Sequence, residues 1–166
     1  EQDTRRFGQF SKLPVFDPSS PEEAYEDDKG CLLNILRKYH TPVLFRPTTR
    51  LCHGCASVEL KERSSFRSMR GLSRIPANGY FPRLSHANHR MIETRNSMIG
   101  EDFSSYRFNL LHREEGNTVK GILTHGISYE FVMEALNGYK GARVLKVSTP
   151  NPMPERLLLE FAKRAG

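Results

Sequence analysis

The end of the chain constrains the fold most. Residues 119–136 read as a strand, a glycine turn and an amphipathic helix. Residues 142–147 read as a second strand, and residues 150–161 as a proline-punctuated loop leading into a second helix. Two strands joined by a helix run in the same sense, so this β-α-β-α order requires parallel pairing. The expected class is α/β, a parallel sheet in a three-layer αβα arrangement. The punctuation fits: Gly126 permits a tight strand-to-helix turn, Ser128 is placed to cap the helix, and Gly138 or Gly141 ends it. Pro154 and Glu155 open the second helix.

Upstream, Leu13 to Phe16 reads as a strand and Asp17 to Pro21 as a turn. Ser20, Pro21 and Glu23 predict a helix start with a capping box. That helix is expected to run to Tyr39, burying Ala24, Tyr25, Leu32, Leu33, Ile35 and Leu36, with Gly30 weakening it by roughly 1 kcal/mol relative to Ala. Thr41 to Arg46 then reads as a buried strand, and Ser57 to Leu60 as a short one. Ser64 to Arg74 has no clear period and reads as loop, followed by a turn at Ile75 to Gly79. Ser85 to Ile99 has helical spacing, with Gly100 as a stop. Glu101 to Asn117 is polar connecting sequence, although Phe108, Leu110 and Leu111 must pack somewhere.

A chain of 166 residues can hold one domain with a real core, or two small pieces. At 37% hydrophobic and 27% charged residues it is of soluble globular type, and no apolar run reaches the length of a membrane span. The net charge of +6 is concentrated between residues 51 and 113, while the first 50 residues balance. Such a basic stretch attracts phosphate, nucleic acid or an acidic protein. Few aromatics are interleaved with its arginines, which argues against nucleic acid and for a solvated connector. Three cysteines, an odd number, and no secretory signal predict free thiols in a cytoplasmic protein.

Several motifs bear on chemistry. Cys52, His53 and Cys55 offer three zinc ligands but no fourth nearby, and no second CxxC exists. A redox CxxC normally opens a helix, where the thiolate is stabilised; this one follows a strand. Cys52 and Cys55 are therefore weak metal or redox candidates, and free thiols beside a packed loop are the favoured reading. The turn from Thr124 to Ser128 has the form of an anion site, yet neither glycine-rich phosphate motif is present. His125, Ser128 and Glu130 lie too close in sequence for a hydrolase triad. His86 and His89 share a helix face without a carboxylate or cysteine in register. Arg46, Arg50 and His53 follow a strand's carboxyl end, where parallel sheets place ligands such as a carboxylate or phosphate. They would otherwise close an interdomain contact.

The wording of the chain resembles the alpha (large) subunit of indolepyruvate:ferredoxin oxidoreductase, of the thiamine diphosphate-dependent 2-oxoacid:ferredoxin oxidoreductases. The resemblance is carried, in order, by residues 1–7, 12–15, 17–25, 41–50 with His53, 75–78, 121–136, 144–146 and 152–155. It implies a fold in which residues 1–51 are the C-terminal part of a pyrimidine-binding thiamine domain. Residues 52–111 would be an irregular basic connector with one helix, and residues 112–166 a βαβα domain like the C-terminal domain of transketolase. The resemblance also implies an activity: oxidative decarboxylation of aryl pyruvates to aryl-acetyl-CoA, with ferredoxin as acceptor. The cofactors implied for the complete enzyme are thiamine diphosphate with Mg²⁺, 4Fe–4S clusters and CoA. The implied partners are the remainder of the subunit, a smaller oxidoreductase subunit and ferredoxin.

The pyrimidine-activating glutamate is expected upstream of Glu1 and the diphosphate- and Mg²⁺-binding segment downstream of Gly166. The cysteine run C-x₂-C-x₂-C-x₃-C-P is absent from these residues. The chain thus reads as an internal portion or a truncated relative, a scaffold and interface without catalysis or cofactor of its own. Glu1, Gln2, Asp3 and Arg5 match a polar motif near the family's cleft, and Arg50 and His53 match the strand end; these six are the substrate- or cleft-proximal candidates. Cys52 and Cys55 depart from the family, which has non-thiol residues around His53. The alternatives are a piece of another 2-oxoacid:ferredoxin oxidoreductase, or a non-enzymatic basic interaction module.

Overall fold

The computed structural model describes residues 2–29, 31–60, 82–112, 120–137 and 139–164. Side chains at positions 2–5, 27–29, 31, 82–84 and 164 also lie outside the description, as do the loop expected at Ser64 to Arg74 and the turn at Ile75 to Gly79. The described elements, in order, are α1 (Gln2–Ser11), β1 (Val15–Phe16), α2 (Pro21–Lys29), α3 (Cys31–Tyr39), β2 (Leu44–Phe45) and α4 (Thr49–Cys52). They continue with α5 (Pro82–Ser104), β3 (Leu111–His112), β4 (Lys120–Thr124), α6 (Ser128–Ala135), β5 (Ala142–Lys146) and α7 (Glu155–Arg164).

The expected α/β class is found, with parallel strands and crossing helices. In the head, β1 and β2 pair in parallel with Val15 opposite Leu44 and Phe16 opposite Phe45. The helices between them form the crossover that parallel pairing needs. In the tail, the order is β3-β5-β4, with β4 parallel and β3 antiparallel to β5. This sheet is therefore mixed rather than wholly parallel: Leu111 and His112, read as connecting sequence, form its antiparallel edge.

The head and tail are joined at the backbone by the segment after β5. Val15 N–H donates to the Asn151 carbonyl (2.7 Å) and Asp17 N–H to that of Ser148 (2.8 Å). Asn109 reinforces this join from the loop between α5 and β3. Its amide donates to Phe103 O (2.8 Å) and Thr149 Oγ1 (2.7 Å), while its oxygen accepts from Ser148 N–H (2.7 Å). A buried amide with its donors and acceptor engaged fixes one register for three segments.

Two apolar clusters flank the join. One gathers Phe16, Leu32, Ile35, Ile99, Phe103 and Tyr106. Phe16 meets Phe103 and Tyr106 edge-on, at 5.2 and 5.8 Å between centroids, the preferred geometry for aromatic quadrupoles. The other gathers Leu145, Val147 and Phe161 under α7.

The helix expected from Ser20 to Tyr39 is described as α2 up to Lys29 and α3 from Cys31, with position 30 outside the described residues. Three local expectations need correction. Gly100 does not stop α5, which runs on to Ser104. A Cβ at Gly100 would lie 3.2 Å from the Met153 carbonyl, so glycine there lets the helix approach the 152–153 loop. Ser57 to Leu60 forms no strand. Ser128 is the first residue of α6 rather than its cap; Ile127 takes the cap position, without a side-chain hydrogen bond.

Candidate functional site

Three chemically active residues each follow a strand directly: Asp17 after β1, Arg46 after β2 and His125 after β4. Asp17 is buried, its side chain 1% exposed, and its Oδ2 lies 2.8 Å from His125 Nδ1 and 3.9 Å from Arg46 Nη1. An ionised carboxylate only accepts, so Nδ1 carries the hydrogen in this contact. That places the proton-accepting edge of a neutral ring at Nε2. The His125 side chain is 39% exposed, so the ring is oriented from within and reachable from outside.

Gly126 makes this contact possible. Its φ of 52° lies in the left-handed region, and a Cβ there would fall 2.8 Å from Asp17 Oδ2. The turn that reads as a simple strand-to-helix connection thus also houses a buried carboxylate. Asp17 Oδ1 has no hydrogen-bond partner among the described residues. The carboxylate on His125 Nδ1 is that of Asp17, and Glu130 Oε1 lies 3.2 Å from Ser19 Oγ.

A second polar cluster lies beside the first. Glu23 Oε2 accepts from Ser19 N–H and Ser19 Oγ, both at 2.9 Å, and from Lys146 Nζ at 2.6 Å. The predicted capping box is therefore half formed: Ser20 Oγ accepts from Glu23 N–H (3.2 Å), but the Glu23 carboxylate turns to Ser19 and Lys146. The Lys146 ammonium also lies 4.8 Å from the centroid of the Tyr129 ring. Tyr129 Oη is 2.5 Å from His112 Nε2. Burial, and then the negative charges of Glu130 and Glu23, push the Tyr129 phenol above its ordinary value. An open cleft of about 430 Å³ over this cluster is lined by Ser19, Glu22, Glu26, Phe108 and Glu130, among others.

No family model matches the chain. It is 34% identical to the indolepyruvate oxidoreductase subunit IorA of Thermococcus kodakarensis, over 97% of its own length and 26% of that relative. The same subunit of Pyrococcus abyssi is 33% identical and that of Archaeoglobus fulgidus 31%, with 97% and 99% of this chain and 26% of each relative covered. The chain is related to IorA. The resemblance read from the sequence is thereby shown, and the chain spans about a quarter of the length of the curated IorA relatives it matches.

The residues that sequence reasoning marked by resemblance to this IorA-type subunit are spread over the head. Gln2, Asp3 and Arg5 lie on α1, their side chains outside the described residues, as is the whole of Glu1. Arg50 is on α4, its guanidinium 5.0 Å from the centroid of the Phe131 ring on α6. His53 caps α4 with its backbone and is exposed. Cys52 and Cys55 are exposed free thiols at and beyond the helix's C-terminal end. His89 lies 3.5 Å from Glu93, one turn on along α5. Among the described residues no three His, Cys, Asp or Glu side chains are grouped to hold a metal ion, and no helix is long and apolar enough to cross a membrane.

Of the sequence candidates, Arg46 and His125 do come together, on Asp17. Asp17 itself was legible only as part of a turn. The available signal was its position directly after a buried strand, where a parallel sheet directs chemistry.

Proposed function

We propose that this chain builds a structural part of an indolepyruvate oxidoreductase subunit. In the complete enzyme, aryl pyruvates are oxidatively decarboxylated to aryl-acetyl-CoA and the electrons pass to ferredoxin, in the cytoplasm. The observation that carries this reading is the collinear similarity to IorA over nearly the whole chain. Residues 1–51 would close a pyrimidine-binding thiamine domain and residues 112–166 would form a transketolase C-terminal-like domain. The parallel β1–β2 crossover and the β4-α6-β5-α7 order support that arrangement.

The role within the subunit is scaffold and interface. Support comes from how the polar side chains are used. Asp17 binds His125 and Glu23 binds Lys146, so the two buried acids among the described residues of the head are engaged by bases of the tail. The described residues form no metal-ligand group fitting Mg²⁺ or an iron–sulfur cluster, so no step through thiamine diphosphate, Mg²⁺, 4Fe–4S or CoA is assigned to them. Those groups belong to the complete enzyme, with the rest of the alpha subunit, the smaller subunit and ferredoxin as partners.

The test is turnover of indolepyruvate with thiamine diphosphate, Mg²⁺, CoA and ferredoxin, together with co-purification. The chain alone is expected to give no turnover and to be retained by the smaller oxidoreductase subunit. Turnover by the isolated chain would refute the scaffold role. Failure to bind that subunit would remove the interface.

A further inference from the structure

We propose that the outer edge of β4 receives a further strand, parallel to it, from the segment that follows α7 in a complete IorA-type subunit. This rests on the reading of the chain as an internal stretch of such a subunit. β4 stands at one end of the order β3-β5-β4, with β5 on its inner side. Val147 N–H donates to the Thr124 carbonyl at 2.9 Å, so Thr124 turns its backbone groups toward β5. Successive residues of a strand turn theirs to opposite sides, so Gly121 and Leu123 turn theirs outward, where no strand lies among the described residues. Such an edge is a template for another strand. The side chains agree. Leu123 is paired with Leu145 and shares its sheet face, yet Leu145 is 0% exposed and Leu123 51%. The apolar cover over this face stops short of β4.

The two tail helices fix where the next strand goes. Tyr129 of α6 meets His112 and Lys146, on the face shared by Ile122, Thr124 and Val144. Leu157, Leu158 and Phe161 of α7 pack with Leu111, Leu145 and Val147, on the opposite face. A crossover between parallel strands of one sheet is right-handed in about 98% of cases. A helix on one face then carries the chain one way along the sheet, and a helix on the other face carries it back. α6 takes the chain from β4 to β5. α7 therefore returns it toward β4, and the open position on that side is the outer edge of β4. A connection of roughly 2–6 residues and a strand of about 5–6 place the occupant within about 12 residues of the end of α7. It is an extended segment with an apolar side chain beside Leu123, and without proline where its amides face β4.

The experiment builds a chimera in which residues 1–166 replace the matched 26% of the Thermococcus kodakarensis subunit, and compares it with the isolated chain by residue-resolved hydrogen exchange. The Gly121 and Leu123 amides are expected to exchange roughly 100-fold more slowly in the chimera, as amides moved from solvent into a sheet do. Leu123→p-benzoylphenylalanine in the chimera is expected to cross-link, on illumination, to the first residues after α7. Equal exchange in the two proteins overturns the proposal, and so do cross-links to a second copy or to residues that precede position 1. Leu123→Pro removes an outward amide and spares the β4–β5 bonds, so it is expected to return Gly121 to fast exchange. Leu123→Lys, a charge on the edge, serves if the proline variant does not fold. If the chimera does not fold, as read by circular dichroism, the chain extended only through the first strand after α7 gives the same readout. Retention by the smaller subunit is scored separately. Retention with an unprotected edge sinks this inference alone, and a protected edge without retention removes only the contact with that subunit.

Discussion

Two acids of the head reach bases of the tail, and the two junctions differ in what the base can still do. Glu23 and Lys146 are sealed, with side chains 2% and 5% exposed. Asp17 is just as deep, but its partner His125 is 39% exposed. The buried pair lies on the lining of the open cleft with its two charges engaged by each other, and it fixes geometry. A half-open pair orients an imidazole while leaving it reachable. The same device, an acid after the first strand region meeting a base on the second sheet, thus gives one structural strut and one candidate chemical group.

The sharpest way to break this contrast is Glu23→Ala. It leaves Lys146 buried without its carboxylate and Ser19 without its acceptor, for an expected loss of about 3–5 kcal/mol. Urea denaturation measures it. Replacing both partners, as in Glu23→Gln with Lys146→Met, should recover most of the loss, because no lone charge is then buried. A single-variant loss below about 1 kcal/mol would mean that the junction is wetter than its burial indicates.

Next in size is Gly126→Ala. The left-handed backbone would cost about 1–3 kcal/mol, and the new Cβ would press on the Asp17 carboxylate. The His125 ring should lose its fixed orientation, seen as a change in its side-chain resonances. Unchanged resonances would show that Asp17 does not hold the ring.

The smallest effect belongs to an exposed counterpart of these pairs, Lys38–Asp102 with Tyr39. Burial pushes the Asp102 carboxyl up, but hydrogen bonds from Lys38 and Tyr39 outweigh it and hold the carboxyl below its ordinary range. A carboxyl depressed by folding adds stability above its unfolded value, near 3.9, and that contribution is lost as pH falls through the lower folded value. Lys38→Ala should therefore destabilise slightly at neutral pH, with the difference from wild type fading on acidification. Melting temperature against pH tests the sign, and a gap that widens in acid would contradict it.

The contrast between the junctions also marks what a reader of the sequence can see. The tail's β4, α6 and β5 are legible because Gly126 and the glycine-bearing stretch after Leu136 punctuate local hydrophobic patterns. The core face of α3 is legible for the same reason: Leu32 and Ile35 recur at helical spacing and are buried. Asp17 and Glu23 were visible only in their local roles, a turn residue and a helix cap. Their partners lie more than a hundred residues away, and no local pattern announces a tertiary ion pair. Gly100 misled for a related reason. Locally glycine weakens a helix, but here it answers to the Met153 carbonyl, from a distant loop. Strand β3 escaped because two residues are too few to show alternation.

The backbone join after β5 has a consequence in time. Leu13 and Asn151, whose hydrogen bond helps to seat β1, are 138 residues apart in the chain. At roughly 5–20 residues per second of synthesis, β1 waits on the order of ten seconds for the strand-like segment that completes it. During that interval the aromatic face of Phe16 and the acids beside it have emerged, and the residues that cover and neutralise them have not. The early chain must therefore be kept from other surfaces until the tail arrives.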